Sequence, residues 1–294
     1  MRTPLSMRSP AVYNLALGLL IVSPLIVYIF AVYLPYTVDW YDNFGLVALT
    51  PLAPYQVNTY FNPPWFALVL APLGLLPFRI GQAINSFLNL AITALVVARY
   101  GGKRWSLVLT LTSLPFAALL LNGNVEWISM SAFLLPAQWG LIFISAKPQT
   151  GGLAALLWFK QAPNKLRFLL PLAIIIGTSL LIWRGWPTSM LANIAHAPPE
   201  SIKDPNVSPW PWLIPIGLWL LYLAWRQDDV LLAVSATFCL VPYFIIHTVT
   251  ILFALLSTRH LRTSIVVWIF LWTFAVIKSW HLLFPSMAAS SHTP

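Results

Sequence analysis

The chain has 294 residues, 59% of them hydrophobic and only 8% charged, against about 25% charged in an ordinary soluble domain. Its 16 Lys+Arg and 7 Asp+Glu are too few to cover a water-facing surface of this size, which excludes a soluble globular protein. The net charge of +9 is not read as a nucleic-acid surface: the basic residues sit in short loops between apolar runs, where cytoplasmic retention of Lys and Arg accounts for them.

The N-terminus carries Arg2 and Arg8, then an apolar run over about 11–34. Signal-peptide cores are about 7–15 residues long, so this run reads as a retained first helix. Further apolar spans fall at 80–98, 105–121, 126–146, 167–184, 211–225, 229–241, 243–257 and 264–284. Together they predict a single integral membrane domain over 1–294: an all-α, polytopic transmembrane helical bundle. Segments 63–78 and 149–159 are shorter. Pro63 and Pro64 suit a helix start, where no amide donor is needed, but 16 residues at about 1.5 Å each reach about 24 Å, short of the roughly 30 Å membrane core.

The loop charges arbitrate. If 63–78 does not span, 12 of the 16 Lys and Arg fall on the side of the N-terminus, with Arg79, Arg184, Lys203 and Lys278 opposite. If it spans, only six stay inside. The positive-inside rule favours the first arrangement: about nine spanning helices in the cytoplasmic membrane, a cytoplasmic N-terminus, and 63–78 lying at the outer interface or re-entering. Residues 35–79 then form an outer-face loop with juxtamembrane helices. Residues 187–209, with five prolines and with His196, Glu200 and Asp204, form a second outer loop ordered by packing rather than secondary structure.

This topology places Asp39, Asp42, Glu126, Glu200 and Asp204, five of the seven acids, at the outer face with Asn122 and Asn124, and Lys147 inside. Outer loops that avoid Lys and Arg account for Glu200 and Asp204. Asp39 and Asp42 follow the first helix as Val38-Asp39-Trp40-Tyr41-Asp42. Three apart, they share a face on a helix, and either can serve as a general base, which must come within about 3 Å of its proton. The aromatics around them also fit an interfacial belt. Glu126 opens an apolar span, where a carboxylate suits a helix N-terminus or lines a polar site. Asn122 and Asn124 are hydroxyl binders or turn residues. His247 lies within an apolar span, where ionisable groups are expensive and often functional. Cys239 is the only cysteine, and no HExxH, CxxC, P-loop or dinucleotide fingerprint is present, so neither a metal nor a cofactor is expected.

Three patches carry a family resemblance. The first runs from Asp39 through Pro54-Tyr55 to Tyr60-Phe61-Asn62-Pro63-Pro64-Trp65 and Leu70-Ala-Pro-Leu-Gly-Leu-Leu-Pro77. The second is Asn122-Gly123-Asn124-Val125-Glu126-Trp127, then a stretch ending Lys147-Pro148. The third is Val241-Pro242-Tyr243 with His247. In order and spacing they resemble the family 87 glycosyltransferases, multipass enzymes of the GT-C class whose known examples are polyprenyl-phosphate-mannose-dependent mannosyltransferases. The chain departs from that pattern with Gly-Asn for Gly-Gln, Glu126 for an Asn, and Val-Pro for Ser-Pro, and it is shorter than usual.

The resemblance implies a GT-C bundle that moves a hexose, mannose in the known examples, from a polyprenyl-phosphate donor to a lipid or glycan acceptor at the outer face. It places Asp39 at the catalytic position. Asp42, Tyr55, Asn62, Arg79, Asn122, Asn124, Glu126 and His247 are the expected substrate-binding residues. Arg79, Arg184, Lys203 and His247 are candidates to hold the phosphate, Arg79 first, although an interfacial arginine also snorkels for no functional reason. The expected partners are the donor, the acceptor and membrane lipids. The alternative is a non-catalytic polytopic subunit or a carrier for lipid-linked sugars.

Overall fold

The structure is a computed structural model that describes residues 10–196 and 206–279; Glu200, Lys203, Asp204, Arg2 and Arg8 lie outside that range. Every regular element within it is helical. Four helices are long and apolar enough to cross a membrane: α1 (Pro10–Tyr33), α4 (Phe78–Arg99), α10 (Lys165–Ile182) and α15 (Leu261–Lys278). They differ sharply in burial. The most apolar window of α1 is 0% buried and that of α15 is 6%, whereas that of α4 is 61%. α4 is therefore the central post, and its inward stripe is polar: Gln82, Asn85, Ser86, Asn89 and Thr93 are all buried.

Between the long helices the chain uses short ones. α2 is Gly45–Leu49, α3 Pro64–Gly74, α5 Arg104–Leu111, α6 Leu114–Asn122, α7 Glu126–Met130, α8 Ala137–Ala146 and α9 Ala154–Gln161. α11 is Trp186–Ala195, α12 Ile214–Gln227, α13 Val230–Leu240 and α14 Thr250–Arg259. The expected nine uninterrupted spans thus resolve into four long helices, or five if the bent pair α5–α6 counts as one.

Each break has a local cause. α5 and α6 meet at 51°, where Ser113 accepts from the Phe116 amide as an N-cap and Pro115 occupies the first turn. The Thr112 carbonyl freed there accepts from the indoles of Trp268 and Trp272, so that acceptor is not left bare in an apolar setting. The 126–146 segment breaks ahead of Pro136, which disfavours helix in the residue before it and caps α8. α13 stops at Leu240, one residue before the Val241-Pro242 pair, for the same reason.

The break before Pro136 corrects the reading of 126–146 as one span. The Arg99 guanidinium donates to Leu134 O at the far end of α4, while Lys147, past α8, returns to Glu126. α7 and α8 are the two arms of a hairpin, so Lys147 stands beside Glu126 and not across the membrane from it. The 187–209 expectation is corrected too: Trp186–Ala195 is a helix, because Pro187 in its first turn is compatible with helix initiation. α3, at 11 residues, reaches about 16 Å and does not span.

Most of the positive charge gathers at one end of the bundle. Lys160 pairs with Asp228 and Arg259 with Asp229. Ser106, just past Arg104, donates to Ser257 O near Arg259. The opposite end holds the exit of α1, the 34–63 loop and the start of α4, fastened by Arg79: its guanidinium donates to Ala31 O at 2.8 Å, to Leu34 O and to Gln82 Oε1.

Candidate functional site

The site begins where α1 ends. Asp39 starts a turn that continues as a π-helical stretch over Trp40–Phe44, in which the Gly45 amide donates to Trp40 O. Such widened turns recur at functional sites. Trp40 is buried, and its indole donates to Phe78 O at 3.1 Å, which ties the turn to the head of α4. Asp39 is left half-buried, and Asp42, on the same stretch, is exposed.

The second component is the corner between α6 and α7. Gly123 ends α6 at φ +71°, and a Cβ there would stand 2.0 Å from Thr37 Oγ1. Only glycine permits both the left-handed turn and the close approach to the Asp39 segment. Two asparagines on α4 hold this corner. Asn85 Nδ2 donates to Gly123 O and its Oδ1 accepts from the Trp127 indole. Asn89 Nδ2 donates to Asn124 O at 2.7 Å and its Oδ1 accepts from the Trp127 amide. These asparagines lie about 10 to 16 Å along α4 from Phe78 at about 1.5 Å per residue, so the corner is recessed within the bundle.

The recess holds one continuous polar chain. Asn124 Nδ2 donates to Asp39 Oδ2 at 2.7 Å. Asn124 Oδ1 accepts from the Val125 amide at 2.8 Å and from Lys147 Nζ at 2.9 Å. Both contacts demand an oxygen, so the side-chain amide has one orientation and its NH2 must face Asp39. Lys147 also pairs with Glu126. Glu126 in turn accepts from Thr150 at 2.8 Å and Thr248 at 3.0 Å. His247 Nε2 lies 3.6 Å from Glu126 Oε1, too far for a hydrogen bond, and it is buried without a hydrogen-bond partner. His247 Nδ1 lies 3.3 Å from Asn122 Nδ2.

Half-length helices account for this convergence. The C-terminal ends of α6 and α8 and the start of α7 deliver Asn122, Lys147 and Glu126 to one place, and the turns just before α9 and α14 deliver Thr150, His247 and Thr248. Glu126 and His247 are 1% and 0% exposed. A buried carboxylate is tolerated only when paired and hydrogen-bonded, and Glu126 has an ammonium and two hydroxyls. The cluster adjoins two apolar cores, one containing Trp40, Phe66, Leu70, Val125 and Ile128, the other Met130, Phe133, Leu157, Phe238 and Ile251.

Of the residues expected from the sequence, Asp39, Asn122, Asn124, Glu126 and His247 are brought together. The others are placed elsewhere. Asp42 is exposed, and its backbone oxygen accepts from Thr59. Tyr55 donates its phenol proton to Asn62 O at 2.9 Å, a contact that shapes the loop ahead of α3; burial pushes that phenol well above its ordinary pKa. The Arg79 guanidinium is occupied by the carbonyls ending α1. His196 is exposed, and its Nδ1 lies 2.8 Å from Ala192 O.

Sequence reasoning missed Asn85, Asn89, Thr150 and Thr248, and it used Lys147 in the topology count and in the Lys147-Pro148 resemblance without naming it a site residue. A signal for the α4 residues was present. Gln82, Asn85, Asn89 and Thr93 recur every three or four positions through an otherwise apolar run, the period of one helix face. Among the described residues no group of three or more His, Cys, Asp or Glu has the makings of a metal site. Compared with family models, with curated proteins and with solved structures, the chain matches none.

Proposed function

We propose that this chain is a membrane glycosyltransferase of GT-C type. It takes a hexose, mannose in the known examples of the family it resembles, from a polyprenyl-phosphate sugar and places it on a hydroxyl of a lipid or glycan acceptor. The observation that carries the reading is Asp39: a half-buried carboxylate at a helix exit, oriented by an asparagine whose own orientation is fixed by a buried ammonium. A general base needs its proton-accepting oxygen held in one direction.

In this reading Asp39 removes the proton of the acceptor hydroxyl as the oxygen attacks the anomeric carbon from the side opposite the phosphate. The bond from that carbon to the phosphate oxygen breaks, and the lipid phosphate leaves with the electron pair, giving inversion. A phosphate leaves without a strong acid, so one carboxylate suffices where glycosidases need two. Asn122, half-buried beside His247, is the group to bind a sugar hydroxyl, while the buried Asn124 and His247 shape the site behind it. The bundle end rich in Lys and Arg is the cytoplasmic one by the positive-inside rule, which sets Asp39 toward the outer face.

The test is transfer of a labelled sugar from a lipid-phosphate donor by purified Asp39→Asn protein. Loss of a general base lowers the rate by about 100- to 10,000-fold, with the thermal unfolding midpoint little changed because Asn keeps the shape. Transfer at the wild-type rate removes Asp39 from the role of base. If the wild-type protein transfers nothing, the alternative of a non-catalytic subunit or sugar-lipid carrier takes its place.

A further inference from the structure

The helices of this bundle end at different heights. α1 has 24 residues and α4 has 22, lengths of about 36 and 33 Å, enough to cover the roughly 30 Å hydrocarbon core of a bilayer. α13 has 11 residues and α14 has 10, only about 16 and 15 Å. Both are anchored at the Lys- and Arg-rich end, where Asp229 ahead of α13 pairs with Arg259 closing α14. α4 ends at that same level: a Cβ on Gly102, just past it, would stand 3.0 Å from Thr258 Cγ2. The 241–249 turn that joins α13 to α14 therefore stands about half way up α4.

Part of that turn faces outward. Pro242 and Tyr243 are exposed, and the irregular stretch ahead of α12 is tied to them. Asn206 Nδ2 donates to Pro242 O at 2.9 Å, Ser208 Oγ to Val241 O at 2.6 Å, and the Val207 amide to Phe244 O at 3.0 Å. Asn206, Val207, Trp210 and Trp212 are exposed as well. Irregular backbone and an asparagine do not lie against lipid tails, where no solvent bonds their polar groups.

The exposed aromatics mark the same level. Trp and Tyr gather at the two membrane interfaces. Beside α12, the exposed Trp212 and Trp225 are separated by about 20 Å of helical rise, and Arg226 follows the second. On α1, the exposed Tyr13 and Tyr33 are separated by about 30 Å. The two interfaces are thus about 10 Å closer together at α12 than at α1.

We propose that the α12–α13 flank holds the bilayer locally thin. The headgroup layer descends beside α12 to meet Asn206, Trp212 and Tyr243, as lipid does around helices too short for it. The partner of this surface is the bilayer itself, whether or not the chain transfers sugar. The test compares positions of equal height. Arg79 meets Ala31, so Asn89, further along α4, is level with Ile21, equally far back along α1. Nitroxide labels are placed on the full chain in phosphatidylcholine vesicles, as Ile21→Cys, Val207→Cys and Tyr33→Cys, each on a Cys239→Ser background. Two quantities are read: relaxation of the lipid phosphorus nuclei, and access of a soluble nickel chelate to the label. The Val207 label relaxes lipid phosphorus as strongly as the Tyr33 label, while the Ile21 label leaves it at the unlabelled rate. Trp212→Cys gives the same reading from a second position, should Val207→Cys fail to fold. Nickel access at Val207 or Trp212 without phosphorus relaxation means a water-filled vestibule and overturns the proposal. Labels there that read like Ile21 overturn it as well. Neither readout involves Asp39, so its failure is separate from failure of the transfer assay.

Discussion

The side-chain amide of Asn124 bridges two charges: its nitrogen donates to Asp39 at 2.7 Å and its oxygen accepts from Lys147 at 2.9 Å. Asparagine is the one residue type of this size that can do both, since aspartate lacks a donor and leucine lacks either. Asn124→Leu removes the group that orients Asp39 without removing Asp39. The expected result is a fall in kcat of about tenfold to a hundredfold, the range for a misoriented catalytic group, with KM for the donor little changed. An unchanged kcat would mean that Asp39 needs no positioning from this corner.

How much of this was readable in the sequence depends on the length scale of the signal. α1, α4, α10 and α15 follow from apolar runs long enough to cross a bilayer. The hairpin of α7 and α8 does not, because Leu134 and Leu135, just before Pro136, are as apolar as the arms and a hydropathy sum passes over the turn. That one missed reversal put Lys147 on the wrong side and hid its partnership with Glu126. Asp39 and Glu126 stood out because acids are scarce in this chain, whereas Thr150 and Thr248 are neutral and common in membrane helices. Only the folded chain brings them to a carboxylate.

The far end of the bundle offers a test with a defined pH sign. Asp228 lies between α12 and α13 at φ +53°, outside the long spanning helices. The Lys160 hydrogen bond to its carboxylate, 2.9 Å long, holds its pKa below the ordinary carboxylate range. A depressed folded-state pKa contributes stability that is present above the unfolded value of about 3.9 and lost as the pH falls through the folded value. Asp228→Asn removes that contribution while keeping a residue that tolerates the left-handed region. Thermal unfolding should therefore separate the two proteins slightly near pH 7 and not at all well below pH 4. A gap that widens on acidification contradicts the assignment.

Arg79 should prove a fastener. Its guanidinium joins α4 to the last turn of α1 through Ala31 O and Leu34 O and lies 5.0 Å from the Tyr36 ring. Beyond its packing along α4, the exit of α1 is held by Gln82, which donates to Pro35 O at 2.6 Å, so Arg79 is the charged member of a two-residue clasp. Arg79→Met should lower stability by about 1.5–3 kcal/mol, the value of hydrogen bonds to a charged group, read as a lower unfolding midpoint in detergent. Arg79→Lys should restore only part of it, because an ammonium lacks the planar fork.

The Glu126–Lys147 pair decides whether the recess is held by charge or by shape. Their side chains are 1% and 9% exposed, so removing either partner leaves the other charge buried and uncompensated. Lys147→Met and Glu126→Gln should each destabilise by about 3–5 kcal/mol. The double variant removes both charges at once. It should be more stable than the sum of the two losses predicts, with a coupling of about 1–3 kcal/mol between contacting groups. The same series separates folding from chemistry. Without Lys147 the oxygen of Asn124 loses its cation, and the amide is free to turn its own oxygen toward Asp39, where two acceptors repel. The double variant should therefore regain stability but not transfer activity. If it regains both, the ammonium is needed only to neutralise Glu126, and the orientation of Asn124 is set by the Val125 amide alone.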